Sequence, residues 1–161
     1  LPDTDFSDPG AVLQGLNRAF QMEDQNNLYF TAWYGVWDER KRELHYASAG
    51  GPPALVLLPD GSMPRLESGG TAIGIDPEAQ YSSLVATIPQ GSRFFLFSDG
   101  AYEFRNREGA VFGLEMFTEL LRAFSASTTG PDLGSFAETL RGLSQDRRFE
   151  DDVSLVELDL A

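Results

Sequence analysis

The chain has 161 residues, 12 Lys plus Arg against 25 Asp plus Glu, and a formal net charge of −13 with its one His neutral. That length fits one domain with a core of its own, and the acidic balance argues against nucleic acid or an anionic membrane as partner, since both call for a basic surface. There is no cysteine, which excludes disulfides, thiolate metal sites and Cys nucleophiles, and a single histidine leaves carboxylates as the ligands of any metal, a donor set that suits magnesium, calcium or manganese.

A hydrophobic content of 42% with 12% aromatics marks a folded domain. No apolar run approaches the roughly 18 residues of a membrane span. The start, LPDTD, has neither a basic n-region nor an apolar h-region, so no signal peptide is read there. With no initiator Met, the chain reads as part of a longer protein, and the absence of cysteine fits the cytoplasm.

In chain order, Asp8-Pro9 predicts a helix start, with Asp as N-cap and Pro at the first helical position. Val12, Leu13, Leu16, Ala19 and Phe20 follow at helical spacing. Residues 28–37, LYFTAWYGVW, are apolar or aromatic on both alternating sets, which predicts a strand covered on both faces. Residues 43–49 predict the returning strand of a hairpin, and 54–58 a further strand closed by the turn Pro59-Asp60-Gly61-Ser62. Residues 64–80 read as irregular, 84–88 and 93–97 as strands. Leu114, Phe117, Leu120, Leu121 and Phe124 predict a helix, 125–130 a flexible link, and Pro131-Asp132 the start of another helix carrying Leu133, Phe136, Leu140 and Leu143 on one face. Val153 to Leu158 alternate as a last strand. A meander of antiparallel strands with segregated helices is an α+β domain in which helices layer on sheets.

Two acidic features stand out by position. Asp99 directly follows a buried apolar strand and precedes Gly100, and Asp151-Asp152 directly precedes the last strand. If those strands are neighbours, Asp99 and Asp151 converge at one end of the sheet. Paired carboxylates there repel unless a cation lies between them or one takes a proton. A hard divalent metal is one solution, and it would lower the pKa of a bound water. A plain turn and a solvated loop are the alternatives. Most of the other carboxylates read as solvated surface.

A set of motifs in order carries a resemblance. They are FTAWYGVWD at 30–38, YASAGGPP at 46–53, GTAIG at 70–74, LFSDGAYEFRN at 96–106, FG at 112–113 and DDVSL at 151–155. From residue 8 to 158 the chain resembles the SpoIIE/RsbU-type branch of the protein phosphatase 2C superfamily. The resemblance implies a layered α/β/β/α sandwich of antiparallel sheets flanked by helices. It implies a metal-dependent Ser/Thr phosphatase of bacterial signalling, which uses two manganese or magnesium ions and a metal-bound water. It assigns Asp99 and Asp151 as metal ligands and catalytic residues, adds Asp152 as a further metal ligand, and makes Gly100 a backbone neighbour. The expected substrate is a phosphorylated anti-sigma-factor antagonist, or another sigma-factor regulator, and the parent chain would carry an upstream receiver or sensor domain.

Two departures qualify the picture. The family's upstream metal ligands, an Asp-bearing strand and a D-V-x-G-H-G motif, do not occur in this sequence, and the family's A-G-H-P-P has Gly51 in place of His. Residues 1–161 therefore read as a single partial domain, the C-terminal two-thirds, lacking its N-terminal strands. Alone they are expected to bind metal weakly and turn nothing over. The uncovered sheet edge and apolar surface make a homodimer a further expectation. His45, on a strand, reads as a structural or surface residue. The alternative function is an inactive pseudophosphatase output domain of a response regulator, one that binds a sigma factor or its regulator.

Overall fold

The structure is a computed structural model that describes residues 1–2, 4–126 and 132–160. The described residues gather into two compact units, 1–53 with 66–90 and 54–65 with 91–161. No helix among them is long and apolar enough to cross a membrane.

The first unit opens with α1 (Pro9–Ala19). Asp8 caps it as expected, its carboxylate accepting from the Gly10 and Ala11 amides and from the Ser83 hydroxyl. These bonds hold the Asp8 carboxyl below the usual carboxylate range. Val12 and Leu13 are buried toward the sheet. The fully buried Asn17 is satisfied twice, donating to the Asp76 carbonyl at 2.9 Å and accepting from the Gly74 amide at 2.8 Å. It thereby ties the irregular 70s loop to the helix, as a buried amide must to avoid an unmet desolvation cost.

Strands β1 (Ala32–Asp38) and β2 (Glu43–Ala49) form the predicted hairpin, in register Asp38↔Glu43 to Ala32↔Ala49. The sheet order is β1-β2-β5 once β5 (Leu84–Thr87) is added. Leu13, Ala47, Ala49, Ile73, Ala79 and Tyr81 make this unit's core.

The strand predicted from residue 28 begins only at Ala32 and is not covered on both faces. Leu28 and Tyr29 are 69% and 59% exposed, and the β1 residues are half-buried, with Gly35 exposed. The reason is local. Asn26 and Asn27 take positive φ of 53° and 60°, the left-handed conformation that Asn tolerates better than most residues. The chain therefore leaves a turn there, and Phe30 exchanges backbone hydrogen bonds with Ile73 of the loop, not with a strand.

In the other unit, β3 (Ala54–Leu57), β6 (Ser92–Phe97) and β7 (Leu155–Leu160) join β4 (Arg65–Leu66) in a sheet of order β4-β3-β6-β7. The short β4 lies within the segment read as irregular. The β3–β6 and β6–β7 ladders are antiparallel. Helices α2 (Gly113–Ser125) and α3 (Leu133–Leu143) cover the sheet, burying Phe117, Leu121, Phe136 and Leu140 against Leu55, Phe95 and Phe97. Asp132 caps α3, its carboxylate accepting from the Gly134 amide. The predicted link is shortened by α2, which runs through Ser125, and its remainder at 127–130, with Pro131, lies outside the described residues. Leu143 is 37% exposed, so the predicted apolar face of α3 is buried at Phe136 and Leu140 but not to its end. Each unit thus sets helix against antiparallel sheet, the α+β class expected from the sequence.

Candidate functional site

The condition attached to Asp99 and Asp151 is met, because β6 and β7 are neighbours. Their ladder runs from Ser92↔Leu160 to Phe97↔Leu155. Beyond it, the segment 98–100 on one strand faces 151–154 on the other. The Ser98 amide donates to the Ser154 carbonyl at 3.1 Å. The Ser98 hydroxyl donates to the Asp152 carbonyl at 2.9 Å and accepts from the Ser154 amide at 2.9 Å. Asp99 opens a single 3₁₀ turn, Asp99–Ala101, and its carbonyl accepts from the Tyr102 and Glu103 amides at 2.9 and 2.8 Å.

Gly100 is where the two segments come closest. A Cβ there would stand 2.5 Å from the Asp152 carbonyl oxygen and 3.2 Å from the Asp151 carbonyl carbon. Gly100 thus sits against the backbone of the second acidic segment. Gly100→Ala is accordingly expected to push the segments apart and lower stability by about 1–3 kcal/mol, the usual range for overpacking. Chemical denaturation would measure it, and an unchanged midpoint would contradict the close approach.

The three carboxylates Asp99, Asp151 and Asp152 are exposed. An oxygen of Asp99 accepts from the Gly100 amide at 2.9 Å, and one of Asp151 from the Asp152 amide at 2.7 Å, so backbone orients both while their other oxygens remain available to a cation. Behind the turn, Tyr102 packs against Phe97 and Phe117 with ring centroids 6.0 and 6.2 Å away. Burial first, then the charges of Glu103 and Asp99, push its phenol up to about 12. It is a neutral wall at ordinary pH.

In donor chemistry the carboxylates fit a hard divalent cation, for which oxygen ligands are the rule, and the contact at Gly100 brings their backbones within reach of each other. Among the described residues no group of three or more His, Cys, Asp or Glu could hold a metal ion. Asp99, Asp151 and Asp152, expected together as metal ligands, therefore make no such group by themselves.

Of the remaining motifs, FG at 112–113 stands at the start of α2, and the others lie in the first unit. Gly51 lines an open cleft of about 220 Å³ with Ser48, Pro53, Glu67 and Ser68. A Cβ at position 51 would meet nothing nearer than 3.6 Å, so a side chain could begin there without a clash. His45 is half-buried on β2 opposite Val36 and Val85, with Nε2 3.6 Å from a Glu43 oxygen. The residue that sequence reasoning missed is Ser98. Its one signal was a hydroxyl side chain immediately before the Asp-Gly pair.

The profile of the family described as Stage II sporulation protein E (SpoIIE) matches residues 2–161. The phosphoserine phosphatase RsbU of Bacillus subtilis (strain 168) is 28% identical over 159 residues, which cover 98% of this chain and 47% of RsbU. The chain therefore spans about half the length of that curated relative. Among solved structures, the SiaA-PP2C domain of Pseudomonas aeruginosa aligns with a TM-score of 0.79 at 24% identity, over 95% of this chain and 61% of its own. The manganese-presoaked phosphatase domain of the cell-fate determinant SpoIIE from Bacillus subtilis aligns with a TM-score of 0.55 at 17% identity, over 80% of this chain and 55% of its own.

Proposed function

Because the chain belongs to the SpoIIE family and has the protein phosphatase 2C fold, we propose that the protein carrying it is a metal-dependent phosphatase that releases phosphate from serine or threonine of a phosphorylated protein. The observation that carries this reading is the meeting of Asp99 with the Asp151-Asp152 segment at one end of the β6–β7 ladder. Asp99 and Asp151 would hold manganese or magnesium, with Asp152 beside them. When bound, such cations lower the pKa of a coordinated water and neutralise charge on phosphoryl oxygens.

The chain's own residues supply the frame. Ser98 and Gly100 hold the two acidic segments together, and neighbouring amides orient one oxygen of Asp99 and one of Asp151. The carboxylates are exposed, which leaves room for a phosphorylated side chain still attached to a folded protein. With a net charge of −13, the domain repels a phosphate dianion at long range, so cations at the site would serve binding as well as chemistry. The similarity to RsbU and the motif resemblance support a phosphorylated anti-sigma-factor antagonist or sigma-factor regulator as partner. A cytoplasmic setting and a receiver or sensor domain upstream belong to the same proposal.

The test uses the full-length protein and a phosphoserine-bearing protein substrate, with inorganic phosphate measured while manganese is titrated in and then removed by chelation. Release that rises with manganese and stops on chelation is the expected result. Binding of the phosphoprotein with no release at any metal concentration would overturn it in favour of an inactive output domain.

A further inference from the structure

We propose that Ser98 is a positioning residue that fixes the spacing between Asp99 and the Asp151-Asp152 segment by completing the β6–β7 ladder with its side chain. The inference rests on the phosphatase reading and extends it to a residue that touches neither substrate nor metal.

The regular ladder stops at Phe97↔Leu155. Its next step is half made, by the Ser98 amide on the Ser154 carbonyl. It cannot continue in the usual way, because the chain curls into the 3₁₀ turn at Asp99: the Ser98 carbonyl is taken by the Ala101 amide, and the Gly100 amide turns to the Asp99 carboxylate. The Ser154 amide and the Asp152 carbonyl are thereby left without ladder partners. A hydroxyl can donate once and accept twice, and Ser98 Oγ uses both capacities: it accepts from the Ser154 amide and donates to the Asp152 carbonyl, each at 2.9 Å. Apolar side chains can do neither.

On the other side of Asp99, Gly100 admits the Asp152 carbonyl to within 2.5 Å of where a Cβ would be. Asp99 is thus bracketed by two contacts to the same opposing segment. Cation ligands need placement to about half an ångström, and ligand-orienting partners commonly change metal affinity by about 10- to 100-fold. Both Ser98 side-chain bonds lie at an exposed position, where water takes over when the hydroxyl is removed, so its loss should loosen the spacing without unfolding the sheet.

Thr and Val have nearly the same shape and differ in the hydroxyl, so Ser98→Thr and Ser98→Val in the full-length protein isolate it. Two readouts independent of turnover apply: calorimetric binding of Mn²⁺ alone, and amide exchange at residues 152–154 in the metal-free protein. Ser98→Val is expected to bind Mn²⁺ about tenfold more weakly and to exchange faster at the Ser154 amide, while Ser98→Thr keeps wild-type values. Ser98→Ala, which adds no branch at Cβ, should repeat the Val result. Wild-type Mn²⁺ affinity in both Val and Ala variants, alongside weakened binding in Asp99→Asn and Asp151→Asn, would overturn the role of Ser98 and leave the phosphatase reading standing. Wild-type Mn²⁺ affinity in the Asp variants as well would overturn the reading itself, and this inference with it.

Discussion

Asp99→Asn and Asp151→Asn should each lower metal-dependent phosphate release by the full-length protein by about a hundredfold or more, since on the proposed function each would remove a charged ligand, a larger loss than that of an orienting partner. Asn keeps the shape and one carbonyl oxygen, so the bonds from the Gly100 amide to residue 99 and from the Asp152 amide to residue 151 can survive. Only the negative charge is lost. Both side chains are exposed, and surface changes of this kind usually stay within about 0.5 kcal/mol of stability. Activity and folding are therefore separable, with kcat/KM against manganese on one axis and the denaturation midpoint on the other. The double variant should fall little below the weaker single one, because residues acting as a unit are not additive. Asp152→Asn should cost less than about tenfold: its contribution to the frame runs through the backbone carbonyl, which Asn retains. Full activity in both Asp99→Asn and Asp151→Asn would remove the carboxylates from the mechanism.

What the sequence made legible was what short-range chemistry decides. The Asp8-Pro9 helix start needs only its own turn, β6 is largely an apolar run closed at Asp99-Gly100, and β2 is closed by Gly50-Gly51-Pro52-Pro53. The misread stretch 28–31 is apolar too, but apolarity does not say whether a neighbour exists. Phe30 meets the ring of Phe20 edge-on at 5.7 Å and a loop carbonyl, and that outcome was set by the left-handed turn at Asn26-Asn27. The candidate site divides in the same way. Asp99 and Asp151 stood out because each adjoins a strand end, yet their meeting depended on a β6–β7 pairing that no local signal fixes. Ser98 escaped notice because its partners lie 54 and 56 residues further along. A hydroxyl before an Asp looks like any loop hydroxyl until the opposing strand is in place.

Phe117→Ala should be the most destabilising single change considered, at about 3–5 kcal/mol, the range for emptying a buried aromatic site. Phe117 is fully buried on the inner face of α2. Its ring lies 4.5 Å from Phe97 of β6, 5.8 Å from Phe136 of α3 and 6.2 Å from Tyr102, so one side chain joins both helices, the sheet and the turn that begins at Asp99. A cavity there should reach the site through Tyr102, whose amide is bonded to the Asp99 carbonyl. Burial is the main cause of the high Tyr102 pKa, and opening the packing should let it fall back toward 10. The sign follows from linkage. A phenol whose folded pKa is about 12 against an ordinary value of 10.0 favours the folded state fully below the lower value, and that contribution is lost as pH rises toward the upper one. The variant should melt earlier at neutral pH because of the cavity, and its Tyr102 should ionise earlier in an alkaline absorbance titration, with Tyr102→Phe identifying the tyrosine that moved. A loss under about 1 kcal/mol, or an unmoved titration, would mean that Phe117 does not couple the helices to the Asp99 turn.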